Sequence, residues 1–131
     1  MLETNQETNQ ETNHETNQIK NRIMIGFEYK ISGAPIEDVN GRYRLKYNGG
    51  GINSNLPIYI NENQKYVMGP APNESDVFKI VPIYDGYEFW ASAVYTIYFD
   101  EGYFTDVTEE MDYSGFSGKF ENAPDLKIIK L

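Results

Sequence analysis

From Ile19 to the C-terminus, short apolar and aromatic runs alternate with Gly, Asn, Asp and Pro, a punctuation that leaves little room for helices. The runs predict strands at Ile23–Ile31, Arg42–Tyr47, Pro57–Ile60, Lys65–Met68, Val77–Tyr84, Tyr87–Phe99, Tyr103–Val107, Phe116–Phe120 and Leu126–Ile129. Between them, Asn40-Gly41, Asn48-Gly49-Gly50-Gly51, Asp85-Gly86 and Glu101-Gly102 supply residues that tolerate positive φ. Asp85-Gly86, set between two aromatic-rich runs, carries the strongest hairpin signal. The segment Tyr87–Phe99 has no breaker, and Phe89, Ala93 and Ile97 would also share one face of a helix. Its Tyr, Phe, Trp, Val, Thr and Ile content favours extended backbone, with Ala91-Ser92-Ala93 as a corner between two half-strands.

The fold class expected is all-β, a compact antiparallel sandwich or small barrel, and 131 residues suffice for one such core. The domain is expected over 20–131. Ahead of it, residues 3–18 repeat Glu-Thr-Asn-Gln four times, with His14 replacing one Gln. Nothing in that repeat is apolar, its glutamates would repel at i,i+4 in a helix, and Thr and Asn are poor helix formers. Residues 1–19 therefore read as a disordered acidic tail. No apolar run approaches the length of a membrane helix and no basic-then-apolar leader opens the chain, so a membrane-free, intracellular and cytoplasmic protein is expected.

Chemistry is limited by what is missing. The chain has no cysteine, and its one histidine lies in the repeat, so Ser–His and Cys–His triads and thiolate or imidazole zinc sites have no raw material in the folded part. A non-enzymatic protein without cofactor or metal is expected. Carboxylates at Asp85, Glu88, Asp100 and Glu101 leave a small carboxylate-dependent hydrolase as a third reading, although acids beside hairpin glycines more often form turns. Between Asp100 and Asp112 there are six acids and no Lys or Arg, a set open to a hard cation but without EF-hand spacing. An acidic solvated edge is the plainer reading. The formal net charge of −9 opposes nucleic acid as a partner.

Recognition remains. Arg42, Arg44 and Lys46 alternate with Tyr43, Leu45 and Tyr47, so an extended backbone puts the cations on one face and the apolar groups on the other. Residues 19–79 carry a net +2 and residues 80–125 a net −9. The leading expectation is a structural or protein-interaction module, part of a larger assembly, that uses Arg42, Arg44 and Lys46 with Asp100, Glu101 and Asp106 on a partner protein or a second copy. The competing expectation is a carbohydrate-binding, lectin-like domain. The chain has eleven tyrosines, and Tyr59, Tyr66, Tyr84 and Tyr87, with nearby Asn and Asp, are its candidates for stacking on a glycan. Trp90 is expected in the core.

The phrases Ser32-Gly33-Ala34-Pro35, Val39-Asn40-Gly41-Arg42-Tyr43 and Leu56-Pro57-Ile58-Tyr59, followed by Trp90, resemble the "N-G-x-Y … P-x-Y … W" β units of large multidomain proteins of protists and other eukaryotes. The resemblance covers about sixty residues and implies a structural role, the Asn-Gly turn opening a hairpin and the Tyr and Trp filling the core. The chain departs from the pattern in its Gly49-Gly50-Gly51 run and its single Trp. Its richness in Ile, Asn, Tyr and Lys also resembles proteins of AT-rich genomes such as those of amoebal giant viruses, which would imply a virion-associated or host-directed protein.

Overall fold

The computed structural model describes residues 28–49, 55–106 and 111–131. The repeat, the expected start of the first strand, Gly50-Gly51, Val107, Glu109 and Glu110 lie outside the described residues.

Among the described residues, eight antiparallel strands form one sheet: β1 (Glu28–Ser32), β2 (Gly41–Asn48), β3 (Pro57–Asn61), β4 (Tyr66–Pro70), β5 (Val77–Tyr84), β6 (Tyr87–Glu88), β7 (Tyr95–Tyr98) and β8 (Lys127–Lys130). Their order is β6-β5-β4-β3-β2-β1-β8, with β7 pairing β5 on the same edge as β6. The all-β antiparallel class holds, and the sheet stays open instead of closing into a barrel.

The hairpin at Asp85-Gly86 forms where its chemistry demands, with φ of +52° and +83° at the two turn residues. Beyond it, the long aromatic run does split into two half-strands. Trp90–Ser92 makes a single 3-10 turn between β6 and β7, and both halves run along β5, pairing Ile83 with Glu88 and Ile80 with Tyr95. Phe89 N–H to Pro82 O (3.0 Å) and Val94 N–H to Ile80 O (2.8 Å) carry the ladder up to the corner from either side. Lys79 holds the corner itself, donating from Nζ to Trp90 O at 2.9 Å.

Alternation along the strands sends Tyr29, Ile31, Tyr43, Tyr59, Met68, Phe78, Ile80, Tyr95, Ile97 and Ile128 to the inner face, where all are buried. The second layer over this face is irregular: Phe104, Tyr113, Phe116, Phe120, Ala123 and Leu126 drop into the core from the segment between β7 and β8. Two strands expected there do not form. Tyr103–Thr105 is a 3-10 turn entered through left-handed Gly102, and Phe120 makes one isolated bridge to Ala123. Left-handed Gly118 and Asn122 turn the chain too often for a strand. Its backbone instead bonds to neighbouring chain, Phe104 N–H to Ser75 O (2.7 Å), Gly118 N–H to Leu126 O (2.9 Å) and Glu121 N–H to Thr96 O (3.3 Å).

The residues of the Asn-Gly phrase hold the entry to β2. Asn40 closes the loop after β1, accepting from Ala34 N–H at 2.9 Å and donating back to Ala34 O at 3.1 Å, and Gly41 opens β2. Tyr43 is buried and donates to Val39 O at 2.6 Å.

Candidate interaction surfaces

Strand β2 departs from strict alternation. Leu45 pairs with Tyr59 and Tyr47 with Ile58, so Lys46 is an extra residue, a bulge. Tyr43 and Leu45 keep the inner face, but the bulge turns Tyr47 to the outer one, correcting the expectation that it shares their face. Lys46 and Tyr47 then reach the same carboxylate. Glu88 accepts from Lys46 Nζ at 2.7 Å, from the Tyr47 hydroxyl and from Trp90 Nε1 at 2.9 Å. Burial pushes the Glu88 carboxyl up, but these donors together hold it below its ordinary range. Burial and the bond to Glu88 push the Tyr47 hydroxyl up.

The junction ties β2 to β6 across three intervening strands and closes over a small outer cluster, Ile58, Val67 and Val81, with Ile83, Trp90 and Ala93 packed against it. Trp90 therefore belongs to this satellite cluster, half-buried, and not to the main core. Because the folded-state pKa of Glu88 is depressed, its contribution is full above the unfolded carboxylate range and fades as pH falls through the folded value. Urea unfolding should show an acid loss of stability, and Glu88→Gln should flatten that slope. Glu88→Ala, which strands three donors with partial access to water, is expected to cost about 1–3 kcal/mol.

Of the four tyrosines expected to meet a glycan, Tyr59 is fully buried in the core and offers no platform. It lies on an interior strand, flanked by β2 and β4, with its ring edge-on to Tyr29 at 4.9 Å. The other three converge. Tyr66 pairs with Pro82, Tyr84 lies two residues further along β5, and Tyr84 pairs with Tyr87 across the hairpin, so all three share the inner face where the irregular layer no longer covers it. Tyr66 is half-buried, while Tyr84 and Tyr87 are 60% and 72% exposed. Phe89, absent from the sequence-based set, joins them at 5.1 Å from the Tyr84 ring in edge contact. The alternation Tyr87-Glu88-Phe89 after the Asp-Gly turn was the signal for it.

The basic stripe also regroups. Lys46 is spent on Glu88, and Arg42 and Arg44 remain on the exposed outer face. Strand order brings them two companions the sequence did not reveal: Lys30 sits directly opposite Arg42, and Lys127 lies on the same face one strand further out. Asp100, Glu101 and Asp106 are exposed at the far side, in the loop that leaves β7 and sends Phe104 into the inner core. They do not meet the arginines, since they follow a strand at the opposite end of the sheet order. Nor does a metal centre gather among the described residues, where no three Asp, Glu or His side chains converge. A half-open hollow of about 180 Å³ lies beside Arg44, lined by Ile60, Asn61, Glu62 and Gln64. That is smaller than the roughly 300–1,000 Å³ of ordinary ligand pockets.

No described helix is long and apolar enough to cross a membrane. Comparison with protein-family models, curated proteins and solved structures yields no match.

Proposed function

We propose that this chain is a non-catalytic protein-interaction module whose recognition element is the β5–β6 hairpin. The observation that carries the reading is the exposure of Tyr84, Tyr87 and Phe89 on one hairpin, beyond the edge of the core. Single exposed aromatics are ordinary, but three grouped on one hairpin form a patch of the kind that binding surfaces use. Tyr rings also supply contact area at low entropic cost, and the Asp85-Gly86 turn fixes their spacing.

A photo-cross-linking residue at Tyr87, in cells that make the protein, is expected to give a discrete adduct. The same residue at exposed Lys119, on the irregular layer, should give none. Indiscriminate or equal labelling at both positions would count against the reading. Folding should be indifferent: Tyr84→Ser/Tyr87→Ser is expected to change stability by less than about 1 kcal/mol in urea unfolding, because neither ring is buried.

The convergence of Tyr66, Tyr84 and Tyr87 favours one second reading, a glycan stacked on the same rings. Saturable binding to one class on a glycan array, lost in the double serine variant, would select it over a protein partner.

A further inference from the structure

The outer face of β8–β1–β2 carries an arrangement that folding does not require. Lys30 stands directly across from Arg42, a like-charge pair that disfavours strand pairing, and Ile129 flanks Lys30 on the other side, 46% exposed. Lys127 is diagonal to Lys30, and Arg44 lies two residues along β2 from Arg42. Four cations thus share one solvent-facing surface with Glu28 and Glu62. Glu28 offsets part of the repulsion through an exposed ion pair to Arg42 at 3.0 Å, of the sort that contributes little to stability. Excess positive charge is concentrated here although the whole chain carries −9, and the exposed acids after β7 lie at the other end of the sheet order.

The geometry points to this face as a docking surface for an extended acidic segment of a partner protein. Neighbouring strands place Lys30 and Arg42 about 4.8 Å apart at the backbone, and positions two residues apart on one strand are separated by about 6.6–7 Å. An extended peptide presents the side chains of alternate residues at that same interval, so three acids at every second position can meet Lys127, then Lys30 and Arg42 together, then Arg44. Ile129 and the exposed Leu131 supply apolar contact at the rim. A short acidic segment suits the site better than a long polyanion, which the net charge of the rest of the molecule repels. The β5–β6 hairpin plays no part, so this surface stands or falls independently of it.

The probe is a fluorescent peptide of alternating Glu and Thr, titrated with the full chain and followed by anisotropy. Saturable binding is expected at roughly 20 mM salt, with its loss by roughly 300 mM as screening shortens the reach of the charges. A Gln-Thr peptide should not bind. Lys30→Glu/Lys127→Glu should weaken binding about tenfold or more, whereas Lys119→Glu, a cation on the irregular layer, should leave it within about twofold. If the glutamate variant fails to fold, Lys30→Gln/Lys127→Gln should still weaken binding about threefold. Equal losses from Lys30→Glu and Lys119→Glu would reduce the effect to net charge and overturn the assignment. Two other results would do so: tighter binding of a single-stranded oligonucleotide than of the peptide, or a mass that doubles at low salt with the same variant dependence, making a second copy the occupant.

Discussion

Replacing Gly33 by alanine is expected to destabilise the protein by about 2–5 kcal/mol, seen as a lower urea midpoint with an unchanged slope. Gly33 follows β1 and has φ of +78°, a conformation that costs an L-residue about 1–2 kcal/mol. Space adds to the penalty. A Cβ at this position would collide with the Asp125 carbonyl oxygen, with the carbonyl carbon at 2.8 Å and Leu126 N at 3.4 Å. These are backbone atoms of the segment that enters β8, where Lys127 pairs with Ser32, so relief requires pulling β8 away from β1. Overpacking of this kind typically costs about 1–3 kcal/mol. Gly86→Ala is the control. Its φ is +83°, but a Cβ there meets nothing within 4 Å, so only the conformational part remains, about 1–2 kcal/mol. Equal losses at the two glycines would mean that the β1–β8 junction yields freely.

The contrast between those glycines also shows where the chain's local chemistry is readable. Asp85-Gly86 sits between two aromatic-rich runs, so its turn and the span Val77–Tyr84 are visible from neighbouring residues alone. Gly33 is constrained by Asp125, about ninety residues away, and no local pattern reports such a neighbour. Strand order is hidden in the same way. Arg42 and Arg44 stand out by alternation, but Lys30 and Lys127 join them only because β1 pairs with both β2 and β8. The aromatic content of residues 103–120 misled for a different reason: Phe104, Phe116 and Phe120 fill a core without alternating, since the segment lies over a sheet instead of within one. The burial of Tyr59 did leave a sign. Pro57-Ile58-Tyr59-Ile60 is continuously apolar, the pattern of a strand covered on both faces, and such a strand has no side chain to spare for a ligand.

The irregular layer has its own anchor, and Tyr113→Ala is expected to remove it, costing about 3–5 kcal/mol by the usual scale for a buried aromatic. The Tyr113 ring stacks on Tyr29 at 5.8 Å and on Phe116 at 5.8 Å, and meets Phe78 edge-on at 4.9 Å. Its hydroxyl donates to Pro57 O at 2.9 Å, and its N–H donates to the Tyr29 hydroxyl at 3.1 Å. One residue thus binds the coil between β7 and β8 to β1, β3 and β5. Burial raises both hydroxyls, that of Tyr29 to about 12, so they stay protonated across the physiological range and act as fixed hydrogen-bonding groups.

Removing single oxygens separates bonding from packing. Tyr113→Phe leaves the Pro57 carbonyl without its donor and should cost about 1–2 kcal/mol. Tyr59→Phe removes a buried hydroxyl that makes no hydrogen bond of good geometry among the described residues, its nearest polar neighbour being the Tyr29 hydroxyl, and is expected to be neutral or stabilising by up to about 1 kcal/mol. The two hydroxyls share one aromatic cluster, their rings 5.9 Å apart, so opposite signs in urea unfolding would trace to hydrogen-bond satisfaction and not to ring packing. A loss at Tyr59→Phe as large as at Tyr113→Phe would show instead that the Tyr59 hydroxyl is bonded in solution, to the Tyr29 hydroxyl or to a water in the cluster.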